Sequence, residues 1–189
     1  MAARRVATQL GLQVKYVVGD ARFLPLKTAT VDRVFSYSVL QHLSREDAAG
    51  VAKEIGRVLR GGGTSLVQMP TLFGLRCLYH QARRKFREAT GFEVRYWSIP
   101  ALRKLFSTHV GQTRVSVDCF FGIGLQYSDL RLMPPTHKAA IILSELLRKA
   151  SRFAYPITYL ADSVYVSSVK GAVPDPARQP TVAQAAVAG

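Results

Sequence analysis

Residues 14–70 hold a pattern that few architectures accept. QVKYVVGD alternates Val14, Tyr16 and Val18 and ends on Gly19-Asp20, the mark of a short strand running into an acidic turn. VDRVFSYS, Val31 to Ser38, supplies a second strand. Ser44 then stands where a helix N-cap belongs, with Asp47 three residues on. Ala48, Val51, Ala52, Ile55, Val58 and Leu59 share one helical stripe. Gly61, Gly62 and Gly63 close that helix, and TSLVQMP forms a third strand. Strand, helix, strand with short joins argues for parallel pairing, because the crossover returns the chain to the end where it began. The class is α/β.

The rest of the chain continues in kind. Leu72 to Thr90 reads as a helix dense in base, with Arg76, Arg83, Arg84, Lys85 and Arg87. Ser98 caps a helix through Phe106 with Pro100 in its first turn. Val115, Val117 and Cys119 alternate in a further strand. KAAIILSELLRKASRF carries the stripe Ala139, Ile142, Leu143, Leu146, Leu147, Ala150 and Phe153, with Glu145 placed to pair with Lys149. DSVYVSSVK, Asp162 to Lys170, is the last strand. The reading is one domain over residues 1–170, with core motifs at 14–70, a lid and substrate region at 71–160, and a disordered tail at 171–189.

Composition narrows the function classes. At 189 residues, 48% hydrophobic and 20% charged, the chain buries a proper core. Twenty-six basic against 12 acidic residues give a formal charge of +14, which favours a polyanionic neighbour without fixing a fold. Cys77 and Cys119 lack paired spacing, and His42, His80, His109 and His137 share no ligand-like spacing, so the expectation is reduced thiols, no metal and a cytoplasmic setting. Apolar runs fall short of the roughly 20 residues of a membrane-spanning helix. MAARRVATQLGL is Arg-bearing and acid-free like a transit peptide, but Val6, Leu10 and Leu12 lead into a strand, so it reads as the tail of a structural helix.

GDARFLPL, then VDRVFSYSVLQHL, then EIGRVLRGGGTSLVQMP, taken together over about Val14 to Pro70, resembles the small "type 11" class I S-adenosylmethionine-dependent methyltransferases. The resemblance implies a Rossmann-like sheet, incomplete here, mostly parallel with an antiparallel terminal strand and helices on both faces. It implies S-adenosyl-L-methionine as cofactor and a methyl acceptor that is a small molecule rather than nucleic acid. Asp20 would accept from the adenine amino group, with the Ala21 N–H on a ring nitrogen. Ser36 and Tyr37 would flank the methionine end, and His42 would orient or deprotonate a substrate hydroxyl.

Residue chemistry alone leaves other roles open. Asp20 is free to bond its own turn, His42 to start a helix, Tyr37 and Trp97 to pack, and Arg22 to stay in solvent. Leu26-Lys27 and Arg60 depart from the family pattern. A larger departure is that the family's glycine-rich loop and ribose-binding carboxylate would lie before Met1, and Gly61-Gly62-Gly63 leaves a helix rather than a strand. In the family's sheet order, 3-2-1-4-5-7-6, two strands would separate Val14–Val18 from the Val34 strand by about 14 Å. Either Val14–Val18 stays put and the Val34 strand carries an open edge, or it closes up against Val34–Tyr37, bringing Asp20 near the methionine position and narrowing the pocket. The alternative to an enzyme is a non-catalytic remnant that serves as a binding module. The basic, aromatic-bearing segment at 73–87 offers peripheral contact with an anionic surface, against a plain alternative in which its aromatics pack inward.

Overall fold

The computed structural model describes residues 2–122 and 133–171. The elements run α1 (Ala2–Gln9), β1 (Val31–Ser36), α2 (Arg45–Val58), β2 (Leu59–Pro70), α3 (Leu75–Arg83), α4 (Ile99–His109), β3 (Gln112–Cys119), α5 (Pro135–Ala150) and β4 (Ser163–Val169). The tail expected from residue 171 lies outside the described residues beyond Gly171.

The sheet order is β1-β2-β4-β3. β1 pairs parallel with β2, whereas β4 runs antiparallel between β2 and β3. Three strands therefore share one direction and only the last in sequence opposes them, as expected.

Alternation divides the sheet into two faces. Val67, Met69, Val115, Val117, Val164 and Val166 lie on one, and α2 (Val51, Ile55) and α4 (Leu102, Phe106) pack over them. Burying each such side chain contributes about 1.5–3 kcal/mol before entropy is counted. The opposite face carries Phe35, Leu66, Ser116 and Tyr165, and α5 covers it near β3.

Local signals explain the helix starts. Ser44 Oγ accepts from Asp47 N at 3.0 Å, and Ser98 Oγ accepts from Ala101 N at 3.4 Å. Gly74, the cap of α3, offers no side chain. The buried Asp162 serves instead, its Oδ1 accepting from Arg76 N at 2.8 Å and Cys77 N at 3.2 Å. At the far end of α2, Lys170 Nζ donates to the Gly56 and Leu59 carbonyls, where a cation suits the helix C-terminus.

Several expectations are corrected. Val14–Val18 is extended but pairs with no strand among the described residues, and Tyr16 folds it onto α1 by donating to the Ala3 carbonyl at 2.9 Å. β propensity cannot make a strand without a neighbour about 4.8 Å away. β1 accordingly has one unpaired edge among the described residues.

The helix expected over 72–90 is only α3, which ends where Lys85 and Phe86 both take φ of +54°. Left-handed backbone at such residues costs roughly 1–2 kcal/mol each. On α5 the expected stripe is split: Leu147 packs against the core, Ile142, Leu143 and Leu146 are about half exposed, and Ile141, Ser144 and Arg148 face the sheet. Glu145 pairs with Arg148 at 2.7 Å, not with Lys149. The sheet beneath is polar there, with Ser116, Asp118 and Tyr165, so a polar helix face is accepted.

Two glycines of α2 predict opposite outcomes. A Cβ at Gly56 would stand 2.0 Å from the His109 carbonyl oxygen, so Gly56→Ala forces α2 and α4 apart and should cost about 1–3 kcal/mol or more. A Cβ at Gly50 meets only Arg22 carbons at 3.6 Å and beyond, so Gly50→Ala should gain about 0.5–1 kcal/mol. Urea unfolding measures both, and equal effects of the same sign would refute this helix crossing.

Candidate active site

The carboxyl end of β1 leads into a turn at Tyr37-Ser38. Ser38 has φ of +55°, and the buried Gln68 of β2 holds it, its Oε1 accepting from Ser38 N and Oγ at 3.2 Å each. That bond fixes where Tyr37 emerges. Tyr37 borders a cavity of about 710 Å³ on the sheet face beneath α5. Tyr165 and Ser116, paired across β4 and β3, form part of its floor. Asp118, Glu145, Arg148 and Tyr155 bring the polar chemistry.

Asp118 accepts from Ser163 Oγ at 2.7 Å. Burial and then the Asp118 charge push the Tyr165 hydroxyl up to about 12, and the same two causes raise Tyr37. Both phenols are thus neutral donors around neutral pH. Burial also raises the Cys119 thiol, which lines the same cavity.

Asp20 and Ala21 do not border this cavity. Asp20 receives Arg22, with Nη2 at 2.7 Å and Nε at 3.1 Å from both oxygens, and Arg22 Nη1 continues to Asp47 at 2.6 Å. The turn is thereby tied to the first turn of α2. Arg22 stays exposed, as the solvated reading had it, and also bridges two carboxylates; its hydrogen bond holds the exposed Asp20 carboxyl down at about 2. Glu54 and Arg57 of α2 fix the following loop: Leu24 N donates to Glu54 Oε2 at 2.9 Å, and Arg57 donates to the Leu24 and Leu26 carbonyls.

His42 closes a short 3-10 turn (Leu40–His42). Its ring stacks on Phe92 with centroids 4.0 Å apart. Nδ1 donates to the Phe92 carbonyl at 2.8 Å, which leaves Nε2 to accept from Gln41 Nε2 at 3.1 Å. Arg95 Nη1 binds the His42 carbonyl at 2.8 Å, adding a second tie to the same loop. Trp97 is buried in the core with the Arg45 guanidinium 4.5 Å from its ring.

Of the residues that the sequence singled out at this strand end, Tyr37 borders the cavity, whereas Ser36, in register with Val67 on the other face of the sheet, does not; Gln68, Asp118 and Tyr165 were not singled out. A glutamine inside the apolar strand LVQMP was the one available signal. Among the described residues both cysteines are free, no three His, Cys, Asp or Glu gather to hold a metal, and no helix is long and apolar enough to cross a membrane.

The sheet reproduces the 4-5-7-6 part of the order implied by the resemblance, including the reversed third strand. Residues 1–67 match the model of a family described as a methyltransferase domain. Together with the relatives below, this makes the chain similar to the class I S-adenosylmethionine-dependent methyltransferases, in sequence over residues 1–67 and in the fold of its sheet.

A Mycolicibacterium smegmatis protein described as a probable S-adenosylmethionine-dependent methyltransferase is 30% identical over 144 residues, covering 76% of this chain and 51% of that protein. The chain spans about half the length of this curated relative. Two solved structures share the fold. One, from Thermotoga maritima, is described as a SAM-dependent methyltransferase, possibly a histamine N-methyltransferase; it has TM-score 0.55 and 16% identity over 88% of this chain and 68% of its own. The other is the YcgJ protein of Bacillus subtilis, with TM-score 0.53 and 19% identity over 90% and 77%.

Arg22 governs Asp20, so Arg22→Gln should return the Asp20 carboxyl from about 2 toward the ordinary value of about 3.9. The wild-type carboxylate is lowered, so its contribution to stability is present above about pH 4 and lost as pH falls toward 2. Carbon-detected NMR titration of both proteins reads this directly. An unmoved Asp20 in the variant would break the assignment.

Proposed function

We propose that the chain carries part of the machinery of an S-adenosyl-L-methionine-dependent methyl transfer to a small-molecule acceptor. The observation that carries this reading is Tyr37: it sits at the carboxyl end of a parallel strand and opens onto a cavity of about 710 Å³. Carboxyl strand ends are where ligands gather in such sheets, and this volume suits a small molecule rather than a nucleic acid.

The cofactor, when bound, supplies a methyl group on a sulfonium centre. This chain's residues supply position. The adenine amino group would share or take Asp20 from Arg22, whose backbone N–H, Nε and Nη2 all donate to that carboxylate. The Ala21 N–H lies next to it, and Ser36 and Tyr37 border the methionine end. The methyl would leave its sulfur as a neutral thioether forms, and any acceptor proton would pass to water. In this reading His42 orients the acceptor side by anchoring the Phe92 loop, and it takes a proton only if Gln41 leaves Nε2.

A second reading, a non-catalytic binding module, is favoured by the saturation of these groups. Both Asp20 oxygens are bonded to Arg22, and both His42 ring nitrogens have partners.

Isothermal titration with S-adenosylmethionine separates the two. Methyl transfer predicts micromolar binding, weakened about tenfold or more by Tyr37→Ala and by Asp20→Asn, the size of a lost hydrogen bond. A flat thermogram at millimolar cofactor with folded protein leaves the binding-module reading. For an active protein, His42→Gln should lower kcat less than about tenfold, and a loss nearer a thousandfold would make His42 the base.

A further inference from the structure

α3 and the loop after it turn their bulky side chains outward. Leu75 is 63% exposed, Tyr79 57% and Phe86 67%, with Phe73 at 48% just before the helix. This reverses the inward packing that an ordinary lid helix would show. Leu75 and Tyr79 are four residues apart, so they share one face, while Cys77 and Gln81 occupy the buried face. Phe86 projects beyond the helix end, from a turn in which it and Lys85 both adopt left-handed backbone. Holding an aromatic ring in water from strained backbone is doubly unfavourable, and such strain concentrates at functional positions.

The charge within the ridge has one sign, with Glu88 following directly after it. Between Phe73 and Arg87 stand Arg76, Arg83, Arg84, Lys85 and Arg87, and no Asp or Glu. Arg76 binds the Gly122 carbonyl and Arg84 the Val94 carbonyl, both neutral partners that leave the guanidinium charge in place. Arg83 stands 5.8 Å from the Tyr79 ring centroid. Among the described residues, only Arg87 of the five forms an ion pair with a carboxylate, that of Glu93. A raised strip of leucine and aromatic side chains beside unneutralised cations fits one environment best: the headgroup layer of an anionic bilayer. There the ridge leaves water and the cations meet phosphates. A nucleic acid would reward the cations and a stacked ring, but not Leu75.

We propose that the α3 ridge, Phe73 to Phe86, docks the protein peripherally on membranes containing anionic lipid. The proposal does not depend on the methyl-transfer reading, since none of these residues borders the cavity at Tyr37.

Co-sedimentation of the full chain with vesicles tests it. Vesicles of phosphatidylcholine with about a third phosphatidylglycerol should bind at least about tenfold better than phosphatidylcholine alone, and raised salt should weaken the binding. The double variant Leu75→Ser, Phe86→Ser should lose about tenfold on the anionic vesicles. So should Arg83→Ser, Lys85→Ser, with thermal unfolding unchanged because all four side chains are exposed. Should either pair unfold the protein, Tyr79→Ser, also exposed, repeats the measurement. Equal binding to both vesicle types, or binding untouched by the apolar substitutions, overturns the proposal. An RNA hairpin that binds more tightly than vesicles and depends on the same residues assigns the ridge to nucleic acid instead.

Discussion

The architecture depends on β4 entering between β2 and β3. Among the described residues it is the last element and the only strand flanked by two antiparallel partners, from Thr64–Val169 to Pro70–Ser163 on one side and from Gln112–Val169 to Cys119–Ser163 on the other. β2 and β3 never touch each other in the sheet. The hydrophobic layer under α2 and α4 therefore closes only when residues about a hundred positions downstream of β2 arrive, a costly loop closure that favours slow, cooperative assembly. Lys170 and Asp162, at the two ends of that strand, then secure α2 and α3 in turn.

That closure also builds the site. Because β4 runs opposite to its neighbours, its first residues lie beside the last residues of β3, and Ser163 meets Asp118 there. The polar side of the sheet gains its depth from α5, whose ion pair and serines face inward. The turn at Asp20 reaches the same end of the molecule by a different route, through the Arg22 link to α2. Tyr37 and Asp20 are thus set by separate scaffolds, one a strand end locked by Gln68 and the other an ion-pair bridge.

Local signals were legible in the sequence, and signals that depend on a partner were not. Ser44 and Ser98 cap their helices because capping involves only residues two or three positions away. The α2 stripe was readable because the surface it meets is mostly apolar, with Val67, Met69, Val164 and Val166. The α5 stripe was misread for the converse reason: periodicity locates an apolar face but says nothing about the polar surface beneath. Val14–Val18 has strand composition and no strand partner among the described residues. Asp118 and Tyr165 lie far apart along the chain and share no spacing, so only the β3–β4 register joins them.

The division of the sheet into two unlike faces has an evolutionary reading. Each strand contributes alternate residues to a conserved-volume side and to a chemically adjustable one. Ser116 and Tyr165 can change while Val67, Val115 and Val166 stay fixed, because neighbours along a strand point apart. New ligand preferences are then within reach of single substitutions that leave folding energetics nearly untouched, and the scaffold is free to diversify one wall at a time.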